Sequence, residues 1–271
     1  MTAPVGTILN PLRPAPRAAR GLTGFRATDV VLGALAKAVP DRVPAAGEGG
    51  ASMIAMGGRY TDLSSFVFVD FITGSWGGRP GKDGIDGNSP IAANLSNVPV
   101  EEIESHQPIK VERYGFLPDT GGPGKYRGGL SVIRELRFLE DEGILQIRSD
   151  RRECRPYGLN GGLVGSPSLS VINPGGRNER ELPTNVTTAA RRGDVLRHVT
   201  AGGGGYGDPL ERDPAMVLAD VLDGKASPGY AERDFGVVID ASGKAVDKAA
   251  TRSLKERQRT TRAHGKASNE V

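Results

Sequence analysis

The sequence predicts an α+β fold that is mostly β, built from glycine-loop-rich mixed or antiparallel sheets with two or three helices. Three observations predict it. Glycine (39) and proline (19) are both abundant among 271 residues, while apolar residues make up only 37%, so loops must occupy much of the length. Short runs of β-branched and aromatic residues recur between those loops. Helical spacing of apolar residues appears in only a few places, without the regular alternation with strands that a doubly wound parallel sheet needs.

In order, residues 1–21 hold four prolines and no periodicity and read as an extended segment. Thr28–Ala38 has apolar residues at helical spacing, with Asp29 near its start and Pro40 as a stop. A loop over Val43–Gly50 leads to strands at Met53–Met56 and Ser65–Ile72. Trp76–Pro90 is a long glycine-rich connection, and Val100–Glu104 forms one helical turn. From Ile109 the pattern is β, with strands at Ile109–Phe116, Leu130–Phe138 and Ile144–Arg148. Ser168–Ile172 followed by Asn173-Pro174-Gly175-Gly176 suggests a hairpin, and Asp194–Thr200 a further strand. Pro214–Asp223, after Asp213 and closed by Gly224, is a helix with proline in its first turn. Ala231–Ile239 reads as a short turn and then a strand. From Lys248 onward the chain is charged and poor in large apolar residues, so 248–271 reads as a frayed helix or disordered tail.

Three glycine elements stand out: Asp119–Gly129, Tyr157–Gly162, and the run Ala201-Gly202-Gly203-Gly204-Gly205-Tyr206-Gly207-Asp208-Pro209. Glycine inside a helix or strand costs roughly 0.5–1 kcal/mol relative to alanine, so such runs belong where backbone lies against another surface or takes positive φ. The four-glycine run lacks the GxxxxGK[ST] arrangement of a phosphate loop and leads into Asp-Pro, which favours close backbone packing.

Charge excludes several classes. The net +3 comes from 35 basic against 32 acidic residues, and no aromatic platform alternates with the arginines near 148–155, so no nucleic-acid partner is expected. A single cysteine, Cys154, leaves no intramolecular disulfide and no cysteine-based metal site. No apolar run approaches the roughly 20 residues of a membrane span, and the start lacks a signal-peptide core, so a cytoplasmic chain is expected.

Candidate sites are few. The Trp76–Asn88 loop places Arg79, Lys82, Asp83, Asp86 and Asn88 among five glycines, either as a polar wall for a small carbonyl or amide substrate or as a loop packed on another surface. Asp83 and Asp86 could also hold calcium or magnesium, although two carboxylates without EF-hand spacing are a weak signal. Arg148-Ser149-Asp150-Arg151-Arg152 suits an anionic substrate or an internal ion-pair network. His106 and His198 could act as acid or base, and a lone histidine is more often structural. No G-x-S-x-G elbow supports a Ser/His/Asp centre.

The ordered series of elements resembles the C-terminal half of the hydantoinase B/5-oxoprolinase family, which includes the related acetone carboxylase subunit. The matching residues are Gly6-Thr7-Ile8-Leu9-Asn10-Pro11, Pro14-Ala15-Pro16, Ala34-Leu35-Ala36 through Pro40, Pro44-Ala45, Asp86-Gly87 and Asn97–Glu104. They continue with Asp119–Gly129, Ser149-Asp150-Arg151, Tyr157–Gly162 and the four-glycine run with Gly207-Asp208-Pro209. The resemblance implies an ATP-dependent hydrolase of cyclic amides, in which phosphorylation of a lactam or imide oxygen lets water open the ring. It implies a hydantoinase A-like partner that binds ATP, and a divalent metal held in an N-terminal half that carries an Asn-Asp-Pro loop and a histidine- and aspartate-rich stretch. Neither is found here, so residues 1–247 are read as an incomplete family fold: a fragment, a split subunit or a mis-called start. On this reading the chain binds no cofactor or metal itself and is inactive alone, and its catalytic residues are unassigned. Trp76, Arg79, Asp83, Asp86 and Arg127 are the candidates for substrate contact. A non-catalytic scaffold docking onto the A-type subunit, or part of an acetone carboxylase-like subunit, are the alternatives.

Overall fold

The computed structural model describes residues 2–15, 19–60 and 62–267. Met1, Pro16 and residues 268–271, on which expectations rest above, lie outside them. The elements are α1 (Arg20–Leu35), β1 (Ala51–Arg59), β2 (Ser65–Thr73), α2 (Val100–His106), β3 (Ile109–Leu117), β4 (Ser131–Phe138) and β5 (Glu142–Arg148). β6 (Leu169–Ile172), β7 (Arg180–Glu181), β8 (Asn185–Arg191), β9 (Val195–Val199), α3 (Pro214–Leu222), α4 (Pro228–Phe235) and α5 (Lys248–Ala267) follow.

Alternation builds the sheets. In β2, Phe66, Phe68, Asp70 and Ile72 are buried while Val67, Val69 and Phe71 face outward, the two-residue period of a strand with one packed face. Its sheet has the order β2-β1-β5-β8, and a second has the order β3-β4-β9-β6-β7, with every pairing antiparallel. The two inner faces share one core: Ile54, Phe68, Leu145 and Ile147 from the first sheet meet Val132, Leu136, Phe138 and Leu196 from the second. Arg134 of β4 reaches through this core to bond Asp70 of β2, and both are fully buried. Burying either charge is tolerable because the other is there.

The α+β architecture agrees with the expected class, and the sheets are antiparallel. Five α-helices occur among the described residues where two or three were expected. α1 starts at Arg20, earlier than Thr28, and the single turn at Val100 extends to His106. The strand expected within Ala231–Ile239 is replaced through Phe235 by α4, because Ser227 Oγ caps the Tyr230 N–H and Gly236 (φ 64°) ends the helix. Lys248–Ala267 is helical, the first of the two readings of that segment. Thr251 is buried and accepts the Val238 N–H, and Lys255 Nζ donates to the carbonyls of Leu210 and Arg212.

Beside the sandwich lies a second packed region made of backbone. A Cβ on Gly202 would stand 2.0 Å from the Thr120 carbonyl oxygen, on Gly203 2.2 Å from that of Trp76, on Gly204 2.1 Å from that of Tyr157, and on Gly205 2.0 Å from that of Pro123. Gly202 and Gly205 thus face one segment and the two between face two others, the three-residue repeat of a polyproline-II chain surrounded by neighbours. Hydrogen bonds close the arrangement. The Gly203, Gly204 and Gly205 N–H groups donate to Gly129, Ala46 and Leu163, and their carbonyls accept from Gly122, Gly78 and Leu159. Four consecutive glycines are required because side chains fit on none of the three sides.

Candidate functional site

Two clusters of charge flank this glycine bundle. The first contains most of the residues singled out from sequence. Arg127, 6% exposed, grips Asp86 through both Nη atoms (3.0 and 3.3 Å) and Asp220 through Nε (3.0 Å). Arg212, 1% exposed, grips Asp83 through both Nη atoms (2.6 and 2.8 Å) and reaches Asp220 at 2.7 Å. Asp83 and Asp86 also accept the Arg127 and Leu130 N–H groups. Arg79 donates twice to the Asp83 carbonyl, and Trp76 Nε1 donates to the Ser89 carbonyl. Asp83, Asp86 and Arg127 therefore come together, but their polar atoms face one another. The carboxylates that could have held a cation are occupied by guanidinium groups.

The second cluster was legible only in part. Residues Arg26 and Asp29 share one face of α1 at i, i+3 spacing, and Arg26 bonds Asp29 at 2.6 Å. The same guanidinium forks onto Asp150 through Nε and Nη2, both at 2.5 Å. Arg151, held in the left-handed region (φ 63°), turns its guanidinium back onto Asp29 at 2.6 Å. A non-glycine residue in that conformation costs energy that its surroundings must compensate. Beneath these groups sits Glu48, 2% exposed. One of its oxygens accepts the Gly50 N–H at 2.9 Å, and the other lies 4.0 Å from Arg26 Nη2. Burial pushes the Glu48 carboxyl up to about 7, against the pull of Arg26 and with a push from Asp150.

Glu48 borders a cavity of about 20 Å³ that Thr28, Asp29, Ser75, Trp76 and Tyr157 also line. That volume has room for one water. A carboxyl poised near neutrality beside a single-water cavity can exchange a proton with that water. Glycines make the close approach possible, since a Cβ on Gly74 would stand 2.4 Å from the Glu48 side chain and one on Gly49 2.1 Å from Asp29. Of the sequence candidates, Trp76 and Asn88 line this cavity, and Arg79, Lys82, Asp83, Asp86 and Arg127 do not. Sequence reasoning missed Glu48, Arg26 and Tyr157. The i, i+3 pair on α1 was a usable signal; nothing local joins Arg26 to Asp150, 124 residues away.

The glycine run offers no cradle for a phosphate. The N–H groups of Gly203, Gly204 and Gly205 are all taken by carbonyls, so none can cradle a phosphate. Among the described residues no group of three or more His, Cys, Asp or Glu side chains is placed to hold a metal ion. His198 is fully buried in β9, with Nδ1 3.0 Å from Ser170 Oγ and no hydrogen-bond partner for Nε2 among the described residues. Burial, aided by Arg152, pushes its imidazole down to about 4, so it is neutral near pH 7. No helix among the described residues is long and apolar enough to cross a membrane.

An antiparallel sandwich joined to a glycine-backbone bundle defines the class of protein, and comparison assigns it. The Hydantoinase B/oxoprolinase family model matches residues 1–209, and the chain belongs to that family. It is 38% identical over 258 residues to the B-type subunit of a putative D-/L-hydantoinase from Pseudomonas sp. (strain NS671), covering 94% of this chain and 43% of that one. It is 32% identical over 261 residues to the beta subunit of the caprolactamase from Pseudomonas jessenii, covering 92% and 44%. The crystal structure of the ATP-dependent caprolactamase from Pseudomonas jessenii superposes with a TM-score of 0.82 at 27% identity, over 94% of this chain and 46% of that one. An acetone carboxylase structure shares the fold, with a TM-score of 0.69 at 20% identity over 82% and 34%. The chain spans less than half the length of these relatives.

Proposed function

We propose that this chain is one part of the B-type subunit of an ATP-dependent cyclic-amide hydrolase, which opens a lactam or hydantoin ring together with a hydantoinase A-like, ATP-binding partner. The observation that carries this reading is the similarity over nearly the whole chain to the B-type subunit of a hydantoinase and the beta subunit of a caprolactamase. On this reading the partner binds ATP and the N-terminal half of the B-type subunit binds the divalent metal; the engagement of the glycine run and of the Asp83 and Asp86 carboxylates within this chain supports it. This chain supplies a rigid wall. Within it, Trp76 and Glu48 face the water-sized cavity, while Arg79, Asp83, Asp86 and Arg127 hold the loop that carries Trp76 and act on substrate only through it.

Combining the purified chain with an A-type subunit and the remaining half of a B-type subunit tests the reading. ATP-dependent opening of hydantoin, 5-oxoproline or caprolactam is expected from the complete set and not from the chain alone. A second reading, a scaffold without chemistry of its own, is favoured by the internal pairing of Asp83, Asp86 and Arg127. Glu48→Gln separates the two. Loss of about tenfold or more in kcat in the assembled enzyme supports a proton-exchanging Glu48, and unchanged kcat supports the scaffold.

A further inference from the structure

The outer face of the four-stranded sheet carries four large apolar side chains in the open: Val67 (71% exposed), Val69 (42%), Phe71 (40%) and Ile144 (59%). Register arranges this face in rows. One row runs Val67, Gly57, Ile144, Ala189, and the next runs Val69, Ala55, Gln146, Thr187. Both rows are uncharged. Ala55 and Gly57 floor a trough of about 690 Å³ between the ridges of Val67 and Ile144. At one end of the face runs the row Ser65, Arg59, Glu142, Arg191, in which Arg59 on β1 and Glu142 on β5 are exposed charges of opposite sign. Arg191 stands at the β8 edge, where a two-fold operation exchanging β2 and β8 sets it opposite Ser65.

The strand order β2-β1-β5-β8 is symmetric about the line between β1 and β5. A two-fold axis along that line, lying between two stacked faces, would set β1 of one copy over β5 of the other, and β2 over β8. Large residues then meet small ones: Ile144 enters the gap at Gly57, Val67 lies over Ala189, and Gln146 lies over Ala55. The same operation brings Arg59 of each copy against Glu142 of the other. Both size and charge therefore match under one closed symmetry operation, the self-complementarity that an isologous interface requires.

We infer that this face binds a second copy of the chain, forming a two-fold dimer with aligned sheets. Strand spacing of about 4.8 Å and a residue-pair repeat of about 6.8 Å make the face roughly 500 Å². Two copies would then bury roughly 1,000 Å², at the lower limit for a specific interface and the size of a weak, reversible dimer. This inference goes beyond the proposed activity and does not depend on it.

Sedimentation equilibrium on the 271-residue chain tests it. A dimer of twice the 28.5 kDa chain mass is expected. Ile144→Asp, on an exposed position, is expected to weaken dimerisation about a hundredfold while leaving the melting temperature of the monomer unchanged. Arg59→Glu is expected to weaken it about tenfold, and the combined Arg59→Glu/Glu142→Arg variant to restore it. A chain that stays monomeric at high micromolar concentration overturns the inference. So does a dimer indifferent to Ile144→Asp, or a charge reversal that fails to rescue, either of which would place the contact elsewhere or the occupant in another polypeptide.

Discussion

Arg127 and Asp86, 41 residues apart in the chain, meet in a forked ion pair at 3.0 and 3.3 Å. The pair fastens the Trp76–Asn88 loop to the Asp119–Gly129 loop. Through Asp220 it also ties both to α3. Two guanidinium groups and three carboxylates share this network, with Arg212 as the other cation. The loop that carries Trp76 is thus set by this network.

Removing Arg127 leaves the buried Asp220 and the half-buried Asp86 with one partner fewer. Arg127→Ala is expected to destabilise the fold by about 3–5 kcal/mol in chemical denaturation. Arg127→Lys should recover little of that, because an ammonium cannot fork onto Asp86 while also bonding Asp220. A loss below about 1 kcal/mol for the alanine variant would show that the network does not hold the loops.

Glycine substitutions are expected to have opposite signs in two places. Gly203→Ala drives a Cβ to 2.2 Å from the Trp76 carbonyl oxygen, where only backbone could yield, and should cost more than about 4 kcal/mol or abolish folding. Gly229→Ala in α4 meets nothing nearer than Ser227 Oγ at 4.0 Å and should stabilise by about 0.5–1 kcal/mol. Melting temperatures of the two variants decide the matter, and a tolerated Gly203→Ala refutes the backbone-packed bundle.

Stability should depend on pH through Glu48. Its carboxyl is raised in the folded state from 4.5 to about 7, so the folded chain binds more protons than the unfolded chain between those values. The stability this contributes is complete below pH 4.5 and lost as pH rises through 7. The range corresponds to roughly 3 kcal/mol. Glu48→Gln should flatten the stability curve over that window, and an unchanged slope would place the Glu48 pKa in the ordinary range.

His198 works in the other direction. Its imidazole is lowered from 6.5 to about 4, so stability present above pH 6.5 is lost as pH falls through 4. Proton titration followed by NMR should find a histidine that stays neutral at about pH 5. A His198 resonance titrating near 6.5 would contradict its burial.

Much of the sandwich was visible in the sequence because its inner strands alternate or run apolar, as Ser65–Ile72 and Leu130–Phe138 do. Strand β8, Asn185–Arg191, went unseen because a sheet-edge strand of small and polar residues carries little hydrophobic period. Helix α4 was misread because Phe235, Val237, Val238 and Ile239 outweighed the start signal Ser227-Pro228 and the stop at Gly236. Close backbone packing of the four-glycine run followed from composition, whereas the three segments around it did not. At the site, Asp150 and Arg151 were noticed as a charge cluster; their partners on α1 were not, because tertiary ion pairs leave no local spacing. Glu48 sits between glycines in a loop, where nothing in the sequence distinguishes a buried carboxyl from a solvated one.

The most direct test of the central claim is reconstitution. The chain would be mixed with an A-type subunit and the remaining half of a B-type subunit, and ring opening followed with and without ATP. ATP-dependent product from the complete set, and none when this chain is left out, is the result expected. Ring opening by the chain alone, or full activity from the other components without it, would contradict the claim.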